Sequence, residues 1–288
     1  MTLVSVVVPT YDRAGPVTRA VASVLAQSHQ GLECIVVDDG STDDTADRLA
    51  AIKDPRLRVL SQDNQGVSAA RNAGLAMAQG ELLALLDSDD LWEPDKLALQ
   101  VAHMQERGLE FCQTDEAWVR NGKRVNPGRR HRKGPGDPAD GRLFLRSLDL
   151  CLISPSAVAF SRGFWDTVGP FDTGMPACED YDLWLRALLR YRLGFVDQTL
   201  VVKHGGNPDQ LSGMPGLDLY RCRSLVRILQ DSLLPEAFRP RVLRHLEAKA
   251  RVYVGGLSRR GRTQEAERIW NLVCRALAGE SISPEDMC

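Results

Sequence analysis

Leu82-Leu83-Ala84-Leu85-Leu86-Asp87-Ser88-Asp89-Asp90 is the stretch on which the architecture turns. An apolar run ends there abruptly in three carboxylates. The run is too short to cross a membrane and reads as a buried strand. Carboxylates crowded at its C-terminal edge repel one another unless something pairs with them. A hard divalent cation such as Mg²⁺ removes that repulsion and keeps coordination positions open for phosphate oxygens. On that reading the cluster is one side of a metal bridge to a diphosphate. The plainer reading is a polar strand end capping the next helix, with Trp92-Glu93-Pro94-Asp95 as its first turn and Asp90 as a cap.

The same pattern recurs upstream. Leu3 to Val8 is apolar and β-branched, and breaks at Pro9-Thr10-Tyr11. Leu32 to Val37 ends in Asp38-Asp39-Gly40. Between these strands, Val17, Ala20, Val21, Val24 and Leu25 recur at helical spacing. Further helices are expected over Thr45–Ile52 and Val67–Ala78, with a short strand at Leu57–Leu60. Strands alternating with helices across short loops predict a parallel sheet with right-handed crossovers. Ligands bind beyond the C-terminal ends of such strands. Three polar clusters sit at three such ends, and their convergence says more than any one of them.

The second half is patterned differently. Phe111 to Val119 reads as a strand and Asn121-Gly122 as a hairpin turn. Residues 120–142, basic and rich in Gly and Pro, read as a mobile loop. Their charge run is either solvated or faces an anionic acceptor or membrane surface. Ser156–Phe160 and Phe195–Val202 are further strands. Glu179-Asp180 opens a helix running to Tyr191, its acids at the start and Arg186 and Arg190 toward the end, as the helix dipole favours. From Leu217 the chain reads as helical, broken near Pro235, Pro240 and Gly255-Gly256. The expected division is 1–212 as one domain, with halves 1–100 and 101–212, and 213–288 as a helical extension.

With 288 residues, 43% hydrophobic and 26% charged, the chain can bury a large core. A net charge of −2 gives no basic field for nucleic acid. Seven scattered cysteines, Cys288 among them, include no Cys-x-x-Cys pair. They argue against a zinc site or disulfide framework and for a reducing, cytoplasmic setting. Peripheral attachment at the inner face of the membrane stays open, as does self-association through the C-terminal helices.

Five ordered motifs now carry a resemblance. Val4-Ser5-Val6-Val7-Val8-Pro9-Thr10-Tyr11-Asp12-Arg13, Val36-Val37-Asp38-Asp39-Gly40-Ser41-Thr42-Asp43, Gly66-Val67-Ser68-Ala69-Ala70-Arg71-Asn72-Ala73-Gly74, Leu86-Asp87-Ser88-Asp89-Asp90 and Glu179-Asp180-Tyr181-Asp182-Leu183-Trp184 follow one another as in family 2 glycosyltransferases. The resemblance spans roughly residues 1–212. It implies an α/β GT-A (Rossmann-like) fold, with a mixed, mainly parallel sheet flanked by helices and a nucleotide-binding half merged with an acceptor-binding half. It further implies a metal-dependent, inverting, hexosyltransferase-type transfer from a nucleoside-diphosphate sugar, with Mg²⁺ or Mn²⁺ as cofactor. The donor is expected to be a UDP-sugar, with GDP- and dTDP-sugars open. The acceptor is expected to be a saccharide or lipid-linked hydroxyl in cell-surface polysaccharide or glycolipid assembly.

By the same resemblance, Pro9, Thr10 and Tyr11 lie at the nucleotide, with Tyr11 stacking on the base. Asp39 accepts a hydrogen bond from the base, Arg71 and Ser88 lie near the nucleotide, and Asp87 meets the ribose or the metal through water. Asp89 binds the metal directly and His204 assists. Asp180 is the catalytic base, taking the proton of the attacking hydroxyl, and Glu179 orients the acceptor. Each has a structural alternative: a surface tyrosine, an Asp39 turn, an Arg71 fork holding Asp87 or Asp39, a helix-start acid pair and a structural histidine. Two rival functions are a sugar nucleotidyltransferase and a non-catalytic nucleotide-sugar-binding partner. The first is disfavoured because no Gly-rich pyrophosphorylase-like loop follows the first strand.

Overall fold

The computed structural model describes residues 2–126, 128–206 and 210–287. Cys288 and Asn207 lie outside them. Four strands, β1 (Val4–Thr10), β2 (Leu32–Asp38), β3 (Leu57–Ser61) and β4 (Leu82–Leu85), run parallel in the order β3-β2-β1-β4. Every residue of β1 and β2 is buried, as a strand covered on both faces requires. Helices α1 (Ala14–Leu25), α2 (Thr45–Ala50) and α3 (Val67–Met77) make the crossovers. α3 lies so close to the sheet that a Cβ on Gly74 would overlap the Val7 side chain.

The sheet continues through β8 (Val158–Ser161), β6 (Phe111–Arg120) and β9 (Leu193–Gly205). β8 is antiparallel to β4 and β6, and β9 is parallel to β6. β7 (Lys123–Val125) forms a hairpin with β6 across Asn121-Gly122, and both turn residues have positive φ. The result is one mixed sheet of nine strands flanked by helices. No helix among the described residues is long and apolar enough to cross a membrane.

Three helices close the chain: α8 (Leu217–Gln230), α9 (Arg239–Arg259) and α10 (Thr263–Leu277). Leu225, Val242, Leu246, Ile269 and Val273 join the same hydrophobic cluster as Phe111 and Trp184 of the sheet half. Arg227 of α8 donates to Asp172 at 2.6 Å and to Asp182 at 2.8 Å. Asp182 lies on α7 (Glu179–Leu188), the helix that opens with the candidate base. The terminal helices therefore brace the functional helix from behind.

Three sequence expectations are corrected. Leu91–Trp92 is not a helix turn but a two-residue strand, β5, antiparallel to β9, and α4 begins only at Lys96 and runs to Arg107. The indole Nε1–H of Trp92 donates to the Ser156 carbonyl at 2.7 Å, an anchor invisible to local periodicity. Segment 120–142 is not one loop. It holds β7 and a 3-10 turn at Arg129–His131, leads into α5 (Arg142–Ser147), and is pinned by a buried Lys133–Glu116 ion pair at 3.1 Å. Gly255-Gly256 lies inside α9, and the chain turns instead at Gly261, whose φ is +75°. The break at Pro235 does fall between helices, and Pro240 sits in the first turn of α9, where its missing N–H costs nothing.

Candidate active site

The strand ends gather as parallel crossovers require. Thr10 pairs with Asp38 in the β1/β2 ladder, and the Asp39 N–H donates to the Thr10 carbonyl at 2.9 Å. Asp12 stitches the two loops together: its Oδ1 accepts from the Thr42 N–H at 2.6 Å, and its own N–H donates to Ser41 Oγ at 2.9 Å. Beside this clamp Tyr11 is 46% exposed, an unusual state for a large aromatic next to a buried strand. Thr10 Oγ1 is buried and has no hydrogen-bond partner. Pro9 and Ser88 are buried in the same strand-end layer.

Asp39 is 4% exposed and is committed to its own scaffold. Its carboxylate accepts from Gln62 Nε2 at 2.7 Å, the Gln65 N–H at 3.0 Å and the Gly66 N–H at 2.8 Å. A carboxylate offers roughly four acceptor positions, so about one is left for a ligand. Of the carboxylates considered for Arg71, Asp39 is therefore not its partner.

Arg71 instead joins two motifs that the sequence keeps far apart. Its guanidinium donates to Asp87 Oδ1 at 2.7 Å and to Glu179 Oε1 at 2.6 Å. It also lies over the Phe171 ring, 5.1 Å from the centroid. Burial works against its charge, yet the two carboxylates outweigh that and hold its pKa above the usual value. Asp87 is half-buried, with its side chain 25% exposed, and desolvation works against its charge, but Arg71 and Lys203 keep its pKa below the ordinary range. Glu179 is raised, first by burial and then by the neighbouring Asp180. Glu179 is thus turned into the protein as the anchor of α7, and the Asp180 beside it is half-buried, its Oδ1 accepting from the Tyr181 N–H at 2.7 Å.

Asp89 forms an ion pair with Arg13 at 2.8 Å. Asp90 is not a helix cap: its carboxylate accepts from Ser156 Oγ at 2.6 Å and from the His204 N–H at 2.9 Å. It bolts the end of β4 to the end of β9. Burial, with Asp87 and Asp89 nearby, pushes the Asp90 pKa well up. His204 Nδ1 is buried without a hydrogen-bond partner. That orphaned nitrogen and the Asp89 oxygens suit a divalent cation such as Mn²⁺, which accepts oxygen and imidazole ligands. No group of three or more His, Cys, Asp or Glu among the described residues could enclose a metal alone. The rest of a coordination shell would come from ligand oxygens and water.

Three further residues stand beside these acids: Lys203, Cys151 and Arg13. Lys203 Nζ donates to Ser154 Oγ at 3.2 Å. Burial lowers the Lys203 pKa, but Glu116, Asp90, Asp87 and Asp180 more than reverse that, so it remains a fixed cation among them. Cys151 Sγ lies 3.5 Å from Asp180 Oδ2, and burial followed by that carboxylate drives the thiol pKa well above normal. Arg13 was visible only as part of a motif. One signal did point to Lys203: it ends the apolar run Leu200-Val201-Val202, just as the polar clusters end the earlier strands.

The site is therefore a set of carboxylates outnumbering their cations, brought together by Arg71 and Asp90 at the ends of β1, β2, β4 and β9 and the start of α7. The Glycosyl transferase family 2 model matches residues 5–166. An uncharacterized glycosyltransferase of Rickettsia felis is 32% identical over 202 residues, covering 69% of this chain and 32% of the relative, so the chain spans about a third of that protein's length. The putative colanic acid biosynthesis glycosyl transferase WcaA of Escherichia coli K12 is 30% identical over 223 residues, covering 73% of this chain and 78% of the relative. The crystal structure of S. aureus TarS 1-349 in complex with UDP-GlcNAc superposes with a TM-score of 0.77 at 22% identity, over 96% of this chain and 81% of that one, and shares its fold.

Proposed function

The chain belongs to glycosyl transferase family 2, and on that premise we propose that it transfers a sugar from a nucleoside-diphosphate donor to an acceptor hydroxyl in one inverting displacement. One observation carries the reading: the Arg71 fork ties Asp87, at the end of β4, to Glu179, next to Asp180. That fork supports a single cleft shared by donor-side and acceptor-side carboxylates.

Tyr11 stacks on the base, and the free acceptor position of Asp39 takes a base N–H, which favours a uridine donor. Asp180 takes the proton of the acceptor hydroxyl as its oxygen attacks the anomeric carbon. The bond from that carbon to the diphosphate breaks, with inversion. Lys203, a fixed cation, places positive charge among these acids. Glu179, locked to Arg71, orients the first turn of α7, so that Asp180 is presented without rearrangement. A Mg²⁺ or Mn²⁺ ion held by Asp89, with His204 and a water on Asp87, would neutralise charge on the departing diphosphate. WcaA is named for colanic acid biosynthesis, and that relative supports an acceptor in polysaccharide assembly.

The test is release of nucleoside diphosphate from UDP-, GDP- and dTDP-sugars with Mn²⁺. Release from a UDP-sugar is expected. Pyrophosphate formed from a nucleoside triphosphate and a sugar 1-phosphate would favour a nucleotidyltransferase instead, and binding without any turnover would favour a non-catalytic partner.

A further inference from the structure

A groove of about 910 Å³ is lined by residues 115–118 of β6, by Phe195, Asp197 and Thr199 of β9, and by residues 124–126 and 131–135. It is separate from the strand ends that would hold the nucleotide, and its β6 wall runs beside the strand that carries Lys203. Glu116 lines it, and Trp118 of its wall pairs with Lys203 in the β6/β9 ladder. Asp180 is in turn one of the acids whose charge holds the Lys203 ammonium in its charged form. The groove is built rather than incidental. Its Glu116–Lys133 ion pair is buried, with side chains 5% and 4% exposed. The Trp118 indole Nε1–H donates to Glu116 Oε1 at 2.8 Å, which fixes the ring plane.

The charges on its rim are unevenly satisfied. Arg130 is paired with Asp149 and Lys133 with Glu116. Arg124 and Arg132 line the groove, are exposed, and form no ion pair among the described residues. Asp115 and Asp197 share the wall and suit sugar hydroxyls, which donate hydrogen bonds. Guanidinium forks match phosphate oxygens in pairs, and an aromatic face packs on a sugar ring.

We propose that this groove is an acceptor subsite for a sugar bearing a phosphate group, with Arg124 and Arg132 holding the phosphate and Trp118 the ring. The proposal rests on Asp180 being the acceptor-side base, and it narrows the acceptor class to anionic, phosphate-bearing saccharides.

The experiment titrates the whole chain, saturated with UDP and Mg²⁺, with N-acetylglucosamine 1-phosphate and with N-acetylglucosamine, following calorimetry and tryptophan fluorescence. The phosphate is expected to bind at least tenfold tighter than the neutral sugar. Arg124→Ala/Arg132→Ala abolishes that preference and leaves UDP affinity unchanged. Lys123→Ala/Arg129→Ala removes the same charge from the same segment but outside the groove, and keeps it. Equal affinity for the two sugars overturns the proposal. So does equal weakening by the two double variants, which marks general surface attraction. Binding to phosphatidylglycerol vesicles that needs Arg124 and Arg132, without sugar-phosphate binding, also overturns it and makes the face a membrane contact. Should UDP itself fail to bind the wild-type chain, the active-site reading falls, while the sugar-phosphate preference is still measured on its own.

Discussion

Arg71 and Glu179, 108 positions apart in the chain, meet at 2.6 Å with side chains only 4% and 6% exposed. The same guanidinium holds Asp87, so one side chain ties the end of β4 to the start of α7. A buried pair of this kind contributes less to net stability than its removal costs, because the orphaned charge stays in the interior. What the pair secures here is geometry.

Arg71→Met is therefore expected to destabilise the fold by about 3–5 kcal/mol, since it strands two carboxylates. Adding Glu179→Gln recovers part of the loss, because an amide tolerates burial without a cation. Urea unfolding midpoints of the two variants and the wild type check this. An Arg71→Met chain as stable as the wild type would mean that Asp87 and Glu179 find other partners.

Lys96 gives a pH prediction. It is fully buried, with Nζ 3.8 Å from the Trp92 ring centroid, and burial lowers its pKa from 10.5 to about 7. Between those values the unfolded chain binds more protons than the folded one, so this lysine makes stability rise with pH. Below about pH 7 both states carry the charge and its cost is constant. The slope is limited to about 1.4 kcal/mol per pH unit. Lys96→Met should remove that rise between pH 7 and 9, measured as the difference in unfolding free energy from the wild type. A difference that stays flat with pH would show that the folded lysine keeps its proton.

Asp89 is expected to matter for the metal and not for the fold. Its only described ion-pair partner is Arg13, at 2.8 Å, and both side chains reach solvent. Asp89→Asn should weaken Mn²⁺-dependent UDP binding by at least tenfold, with a melting temperature within a few degrees of the wild type. UDP affinity that responds equally to Mn²⁺ in both proteins would remove Asp89 from the metal site.

The sequence made the nucleotide half legible because its grammar is local. Apolar runs such as Val4–Val8 and Leu82–Leu86 end in polar residues, and helical spacing fills the gaps. Parallel order then brings Thr10, Asp38 and Asp87 to one edge with no further information. What stayed hidden depends on contacts between distant segments. Asp90 looked like a helix cap because its partners, Ser156 and the His204 N–H, lie 66 and 114 positions away. Segment 120–142 reads from sequence as one mobile loop because a run of charges carries no mark of burial, although Lys133 is pinned against Glu116. Gly255-Gly256 looked like a break because intrinsic propensity disfavours glycine in helices, and packing of α9 against α8 and α10 overrides it. Cys151 stays hidden for the same reason: it acquires meaning only beside Asp180.

The central claim is that Asp180 removes the acceptor proton. The direct test compares Asp180→Asn with the wild type for turnover of a UDP-sugar, with UDP affinity measured in parallel. An amide keeps the shape but cannot take the proton, so turnover should fall by about 10²–10⁴-fold while UDP binds as before. An Asp180→Asn chain that turns over at the wild-type rate would contradict the account.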